Sequence, residues 1–362
     1  MDRRSFLKTT AMGGTAAAAT TLAAPAIAQG VQTLTMVTTW PRGLAGVWDS
    51  VERFSNNVAD MSDGKLIVEP KAAGELVGAF ESFDAVVAGQ ADIYHGVDYY
   101  WMGQHPAWAY FGAVPFGMTA AEMMTWYYAD GGMALHHEVG EIFGVRSFLG
   151  GQTGAQGGGW FRNQVNSADD FNGLKFRMPG LGGEVLAKMG ASVQVLPGGE
   201  IYQALSTGAL DATEWIGPWS DEKLGLQEVC DYYYPAGFHE AGPALSIGTN
   251  LEVFSGLSAA NQKIIEIAAA EGHQANYALF TANNGPALER LKSGGSNVQE
   301  FADDIWDAFG QGSIDVLGGY LGDDLFKKVH ESAQKSMRAS SGWLSLAESA
   351  YTRQRDRVLS SM

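Results

Sequence analysis

Apolar residues change their spacing along this chain, and the changes predict its elements. TLTMVTTW (33–40) alternates closely enough for a strand, and Pro41-Arg42-Gly43 turns the chain into GVWDSVERFSNNVADMS, where apolar residues recur at helical intervals. GKLIVEP reads as a second strand, AFESFDAVVAGQ as a helix and ADIYHGV as a third strand. This βαβαβ order predicts a mostly parallel α/β sheet with ligands at its strand C-terminal ends. The pattern restarts after about residue 156, with strands over GWFR, LKFRM, VQVLP and LDATEW and helices over GGEVLAKMG and EIYQALSTG, which predicts a second α/β lobe. After ALSIGTN the strands stop, and residues 257–294 read as a long helical passage able to cross between lobes. The expected boundaries are 31–153 plus about 243–285 for the first lobe and 154–242 plus about 286–342 for the second. The glycine-rich GGQTGAQGGGW (150–160) is the hinge candidate, or else a packed loop. In the last segment, 343–362, Leu344, Ala347, Tyr351 and Val358 lie at or near helical intervals, predicting a helix that joins two copies or packs on its own chain.

Composition supports two lobes, since 362 residues at 46% hydrophobic content exceed what a single core usually holds. The formal charge of −17 makes nucleic acid a poor partner. With one cysteine, Cys230, the chain has no internal disulfide and no thiolate metal cluster. The start, MDRRSFLK, followed by a mild apolar stretch and a small-residue pattern ending at Ala28, resembles a twin-arginine signal peptide over residues 1–28 and predicts export. No other segment is apolar enough to span a bilayer.

Signatures of catalysis are mostly missing. There is no complete phosphate loop, and Gly180-Leu181-Gly182-Gly183 fails the dinucleotide fingerprint at its last position. Ser246 in ALSIG is a near miss for a nucleophile elbow and reads as an ordinary strand residue. His136-His137-Glu138 has no third ligand spaced nearby and reads as a surface helix. Glu214 and Glu240 could pair as in glycoside hydrolysis, which keeps an exported lyase or glycosidase as an alternative class.

Five places look costly for a soluble chain. Glu214 falls on the side of a short strand where Leu210 and Ala212 place apolar side chains, so it must be paired, protonated or bound to a cation. Arg177 stands at the mouth of the LKFRM strand, where a guanidinium can grip a carboxylate bidentately or form a surface or interlobe ion pair. Gln156 lies among glycines that let a ligand approach, and Glu240 sits in the turn GFHEAGPAL, facing a cleft or solvent. Trp215 is a pocket wall or a core aromatic.

GGWFRNQVNSADDFNGLKFRMPG, LPGGEIYQALSTGALDATEWIGPWSDEKLGL and YYYPAGFHEAGP together resemble the periplasmic solute-binding subunit of tripartite ATP-independent periplasmic (TRAP) transporters, closest to the subgroup that binds α-keto acids. The resemblance spans essentially the whole chain. It implies a two-lobed periplasmic binding protein of Venus-flytrap type, with a hinge, a long interlobe helix and a cleft that closes on its ligand. It implies no catalysis, and it makes the small and large membrane subunits of the transporter the partners. It also implies that Arg177 holds the ligand carboxylate and that Gln156, Glu214 and the backbone carbonyl of Trp215 hold a bridging cation, sodium or alternatively calcium. Gln156 and Trp215 would also touch the ligand, with Glu240 in the same pocket. In HGVDYYWMGQHP, where the relatives are more aromatic, Tyr99 and Tyr100 would line the first-lobe side, and Asp98 would either add polarity there or point to solvent. The expected ligand is a pyruvate-like 2-oxo monocarboxylate; a 2-hydroxy acid such as lactate, or a sugar acid, is the alternative. A homodimer through the C-terminal helix is implied as well.

Overall fold

The computed structural model describes residues 30–360. The leader expected over residues 1–28 lies outside them. Eleven strands form two sheets among the described residues. The first contains β1 (Gln32–Thr38), β2 (Leu66–Lys71), β3 (Ile93–Gly96) and β4 (Val145–Gln152), all from the first part of the chain, joined by a late strand from residues 244–250. The second contains β5 (Gly159–Phe161), β6 (Lys175–Arg177), β7 (Ser192–Gln194), β8 (Ala212–Thr213) and β9 (Tyr232–Tyr234). The late strand is β10 (Ala244–Asn250), and β11 (Asn297–Val298) is the edge of the second sheet. Spatial order is β2-β1-β3-β10-β4 in the first sheet and β11-β9-β5-β8-β6-β7 in the second.

The predicted βαβαβ start is present, with β1 parallel to both β2 and β3. The pattern did not reveal that β10 returns to the first sheet and runs antiparallel between β3 and β4, with Ile247 opposite His95 on one side and Phe148 on the other. A strand buried on both neighbours reads the same in either direction, because its direction is set by partners distant in sequence.

The expected long helix spans Ala259–Ser293, 35 residues, with the Ser258 hydroxyl accepting from Asn261 N at its start. It touches both sheets' surroundings. Asn276 accepts from Gln152 N at the end of β4 and donates to Gly46 O, whereas Asn284 accepts from Trp219 N in the helix Pro218–Leu224. At Gly46 the backbone is left-handed (φ 82°), and an added Cβ would lie 2.1 Å from the Phe280 ring of the long helix, so glycine alone fits. Three segments pass between the sheets: residues 153–158, residues 235–243 and this helix.

Helix Asp324–Leu344 packs through Phe326, Val329 and Ala333 on the first sheet's helices, with Trp126 Nε1 donating to Ser332 Oγ. The chain continues as helix to Leu359, and here Trp343 (71% exposed), Leu346 (80%) and Tyr351 (66%) face solvent.

Candidate functional site

Arg177 ends β6 and Thr213 ends β8, and the parallel register sets these two residues side by side. Glu214, next along the chain, is therefore delivered to the guanidinium. Its amide donates to Arg177 O at 3.3 Å, and Arg177 Nη1 donates to Glu214 Oε1. Arg177 Nε donates to Leu196 O at 3.0 Å. Both side chains are about 1% exposed, so the acid expected on an apolar side is indeed buried, and in this structure its partner is Arg177. Lys175, on the same face of β6, is exposed, whereas Arg177 lies where the strand end enters the space between the sheets.

Trp215 forms a wall. Its indole nitrogen donates to Ser220 Oγ at 2.9 Å, its ring meets Trp40 of the first lobe edge-on at 6.2 Å, and the Arg177 guanidinium lies 5.4 Å from it. Asp221, which the sequence reading missed, locks the turn beyond it. One carboxylate oxygen accepts from Ile216 N and Gly217 N, the other from Trp160 Nε1. Its signal was legible in GPWSDE, an acid in the first turn of a helix that opens with Pro218, where backbone amides point outward.

Gln156 and Glu240 close the opposite side. Gln156 N donates to Glu240 O at 2.9 Å, Gln156 O accepts from Gly237 N, and Gln156 Nε2 donates to Thr153 Oγ1. Glu240 is 3% exposed rather than at the surface, and the Tyr99 hydroxyl interacts with its carboxyl. Tyr100 interacts likewise with Arg177. His239, a residue the sequence reading passed over, is buried between them, with Nε2 3.5 Å from Glu214 Oε2.

The structure thus brings together Gln156, Arg177, Glu214, Trp215, Glu240, Tyr99 and Tyr100. Among the described residues, the buried atoms Arg177 Nη2, Gln156 Oε1, Glu240 Oε2 and both ring nitrogens of His239 make no hydrogen bond. An unpaired buried polar atom costs about 1–3 kcal/mol, so a cluster of them marks a place built to contact something else. Unpaired carboxylate and amide oxygens suit a hard cation, and a guanidinium with an unpaired Nη2 suits an anion.

Electrostatics point the same way. Burial, and then the Glu214 charge, push the Glu240 carboxyl up to about 7, against the lowering influence of His239, Tyr99 and Arg177. Burial works to lower the Arg177 pKa, but Glu214 and the two tyrosines carry it above its ordinary value. The chamber holds more acid than its one guanidinium neutralises, and added positive charge would relieve it.

Two sequence readings need correction. Asp98 neither points to solvent nor adds polarity to the chamber. It is fully buried, accepting from Tyr94 and Ser246 and paired with His136 Nε2 at 2.7 Å. The segment Asp98–Trp101 is a tight helical turn, where successive side chains diverge, so Asp98 enters the core while its neighbours Tyr99 and Tyr100 face Glu240 and Arg177. His136 is correspondingly a core residue and not part of a surface face. Ser246 is a strand residue of β10, as expected.

A family model described as bacterial extracellular solute-binding protein, family 7 (DctP), matches residues 44–318. The monocarboxylate 2-oxoacid-binding periplasmic protein of Nostoc sp. is 40% identical over 317 residues, covering 87% of each chain. A TRAP transporter solute-binding protein from Bordetella bronchiseptica, solved with calcium and picolinate, superposes with a TM-score of 0.90 at 31% identity, covering 92% of this chain and 99% of that one. Another from Pseudoalteromonas atlantica, solved with sodium and pyruvate, gives a TM-score of 0.87 at 34% identity, covering 89% and 99%. The fold is accordingly the two-lobed α/β fold of periplasmic binding proteins, and the chamber lies between its lobes. From the first helix into the helix Asp303–Tyr320 the chain matches one family, and it belongs to it: the DctP solute-binding proteins of TRAP transporters.

Proposed function

We propose that this protein is the extracytoplasmic subunit of a TRAP transporter that captures a small 2-oxo monocarboxylate, pyruvate-like in size, and hands it to the small and large membrane subunits. The observation that carries this reading is the set of unpaired buried atoms around the Arg177–Glu214 pair. Arg177 Nη2 is free to take a carboxylate oxygen, and the Tyr100 hydroxyl beside the guanidinium orients it. Gln156 Oε1, Glu214 and the Trp215 carbonyl would hold a sodium or calcium ion, whose charge would bridge ligand and protein oxygens. Pyruvate and picolinate, bound by the two solved relatives, each carry a second donor atom next to a carboxylate, which fits a chelate of that kind. Glu214 plus ligand supply two negative charges, and Arg177 plus a monovalent cation two positive, so that closure buries little net charge.

The lobes in this reading are 31–153 with about 243–285 and 154–242 with about 286–323; helix Asp324–Leu344, expected in the second lobe up to residue 342, instead packs on the helices of the first. Every residue of the set is at least half-buried, so the lobes must part for ligand to enter, and residues 153–158 are the proposed hinge. Work in the periplasm after twin-arginine export is part of the proposal. Among the described residues no helix is long and apolar enough to cross a membrane. The test is isothermal titration of the mature protein with pyruvate, in sodium buffer and in choline buffer after chelator treatment. One-to-one binding that requires the cation is expected, and binding that is equal in both buffers overturns the role given to Glu214.

A further inference from the structure

The residue no functional reading has used is His239, and its surroundings are specific. It is 2% exposed, flanked by Glu214 at 1% and Glu240 at 3%. One donor atom from each of these three residues lies within 4.8 Å of the others. Arg177 occupies Glu214 Oε1, leaving Oε2 on the side where His239 Nε2 stands 3.5 Å away. That is beyond good hydrogen-bond length, but it is the spacing of two atoms that share one small ion. Glu240 Oε2 is also without a hydrogen bond among the described residues.

The backbone packs close against the imidazole at two glycines that leave room for no side chain. A Cβ at Gly182 would lie 2.7 Å from His239 Cβ, and one at Gly237 would lie 2.7 Å from Cε1 and 2.8 Å from Nδ1. Phe238 meets the ring edge-on at 5.7 Å. A buried, fixed imidazole with an accepting nitrogen beside two carboxylates is a nitrogen-oxygen-oxygen donor set. Sodium and calcium take oxygen ligands, whereas imidazole suits borderline divalent ions of the first transition series.

We infer that Glu214, His239 and Glu240 form a site for a borderline divalent metal ion such as cobalt, nickel or zinc. This site shares Glu214 with the cation position proposed above, so the two kinds of ion compete for it. The inference does not require pyruvate to be the solute.

Cobalt(II) is the probe. Titrating the chelator-treated wild-type protein with cobalt chloride should give one equivalent of binding, with the intense visible absorption of a low-coordinate, nitrogen-ligated ion. His239→Gln and Glu240→Gln should each weaken it at least tenfold, and sodium should weaken it competitively. Unchanged cobalt affinity in His239→Gln, or the faint spectrum of an all-oxygen octahedral ion in the wild type, overturns the inference. Should a variant not fold, proton NMR of the wild-type cobalt complex decides the matter: a paramagnetically shifted, solvent-exchangeable imidazole resonance is expected, and its absence counts against the site. Pyruvate titration in sodium on the wild type is run in parallel, so that loss of the solute reading and loss of the metal site are seen separately.

Discussion

At Glu214 a carboxylate sits in apolar surroundings, opposite a guanidinium equally cut off from water. Removing one charge of such a pair strands the other, at about 3–5 kcal/mol. Glu214→Gln should therefore lower stability in urea by roughly that amount and abolish cation-dependent pyruvate binding. Glu240 makes a second prediction. Its carboxyl lies at about 7 in the folded chain against an ordinary 4.5, so between those values the folded state holds a proton the unfolded state has lost. Stability of the ligand-free protein should accordingly fall as pH rises from about 4.5 towards 7, and Glu240→Gln should flatten that slope. Urea titrations across the window check it. Glu214 was legible in sequence because it breaks an apolar alternation. His239 was not, since one histidine in a turn carries no periodic signal, and only the fold sets it against Glu214.

Among elements, the turn Asp98–Trp101 shows where sequence adjacency misleads. Tyr99 and Tyr100 serve the chamber, yet Asp98 serves the core through Tyr94, His136 and Ser246. Asp98→Ala would remove a buried hydrogen bond from each of three partners, of which Tyr94 keeps Ser147, so we expect several kcal/mol of destabilisation with little change in ligand preference, measured by urea unfolding beside a titration with pyruvate and lactate. The helix Pro218–Leu224 gives the converse case. Asp221→Ala frees the Ile216 and Gly217 amides, loosens Trp215, and should weaken solute binding even though Asp221 is assigned no ligand contact. The apolar runs of β1, β2, β3, β5, β6, β7, β8 and β10 and several of the helices between them were readable, whereas β4, β9 and the short β11, which comes after the point where strands were expected to stop, were not. The placement of β10 was not, since nothing local distinguishes its two neighbours.

For the whole molecule, the two lobes, the crossing helix and the spacing of the Gln156, Arg177 and Glu214 segments could be anticipated, but the closed chamber could not, because it depends on how two sheets face each other. Beyond Trp343 the exposed aromatic and aliphatic side chains suit the dimer contact that the family resemblance implies. Deleting residues 343–362 should halve the mass in light scattering; an unchanged mass removes that segment from any dimer interface.

The insertion of β10 between β3 and β4 also bears on how the chain comes to be folded. The ribosome releases β4 about ninety residues before the strand that attaches it to the rest of its sheet, and the second sheet gains its edge only when Val298 emerges. Neither half can finish while the chain is still short, so acquisition of structure is delayed until synthesis is nearly over, with a high share of pairings between distant residues. Such a chain exposes unfinished sheet edges for most of its synthesis.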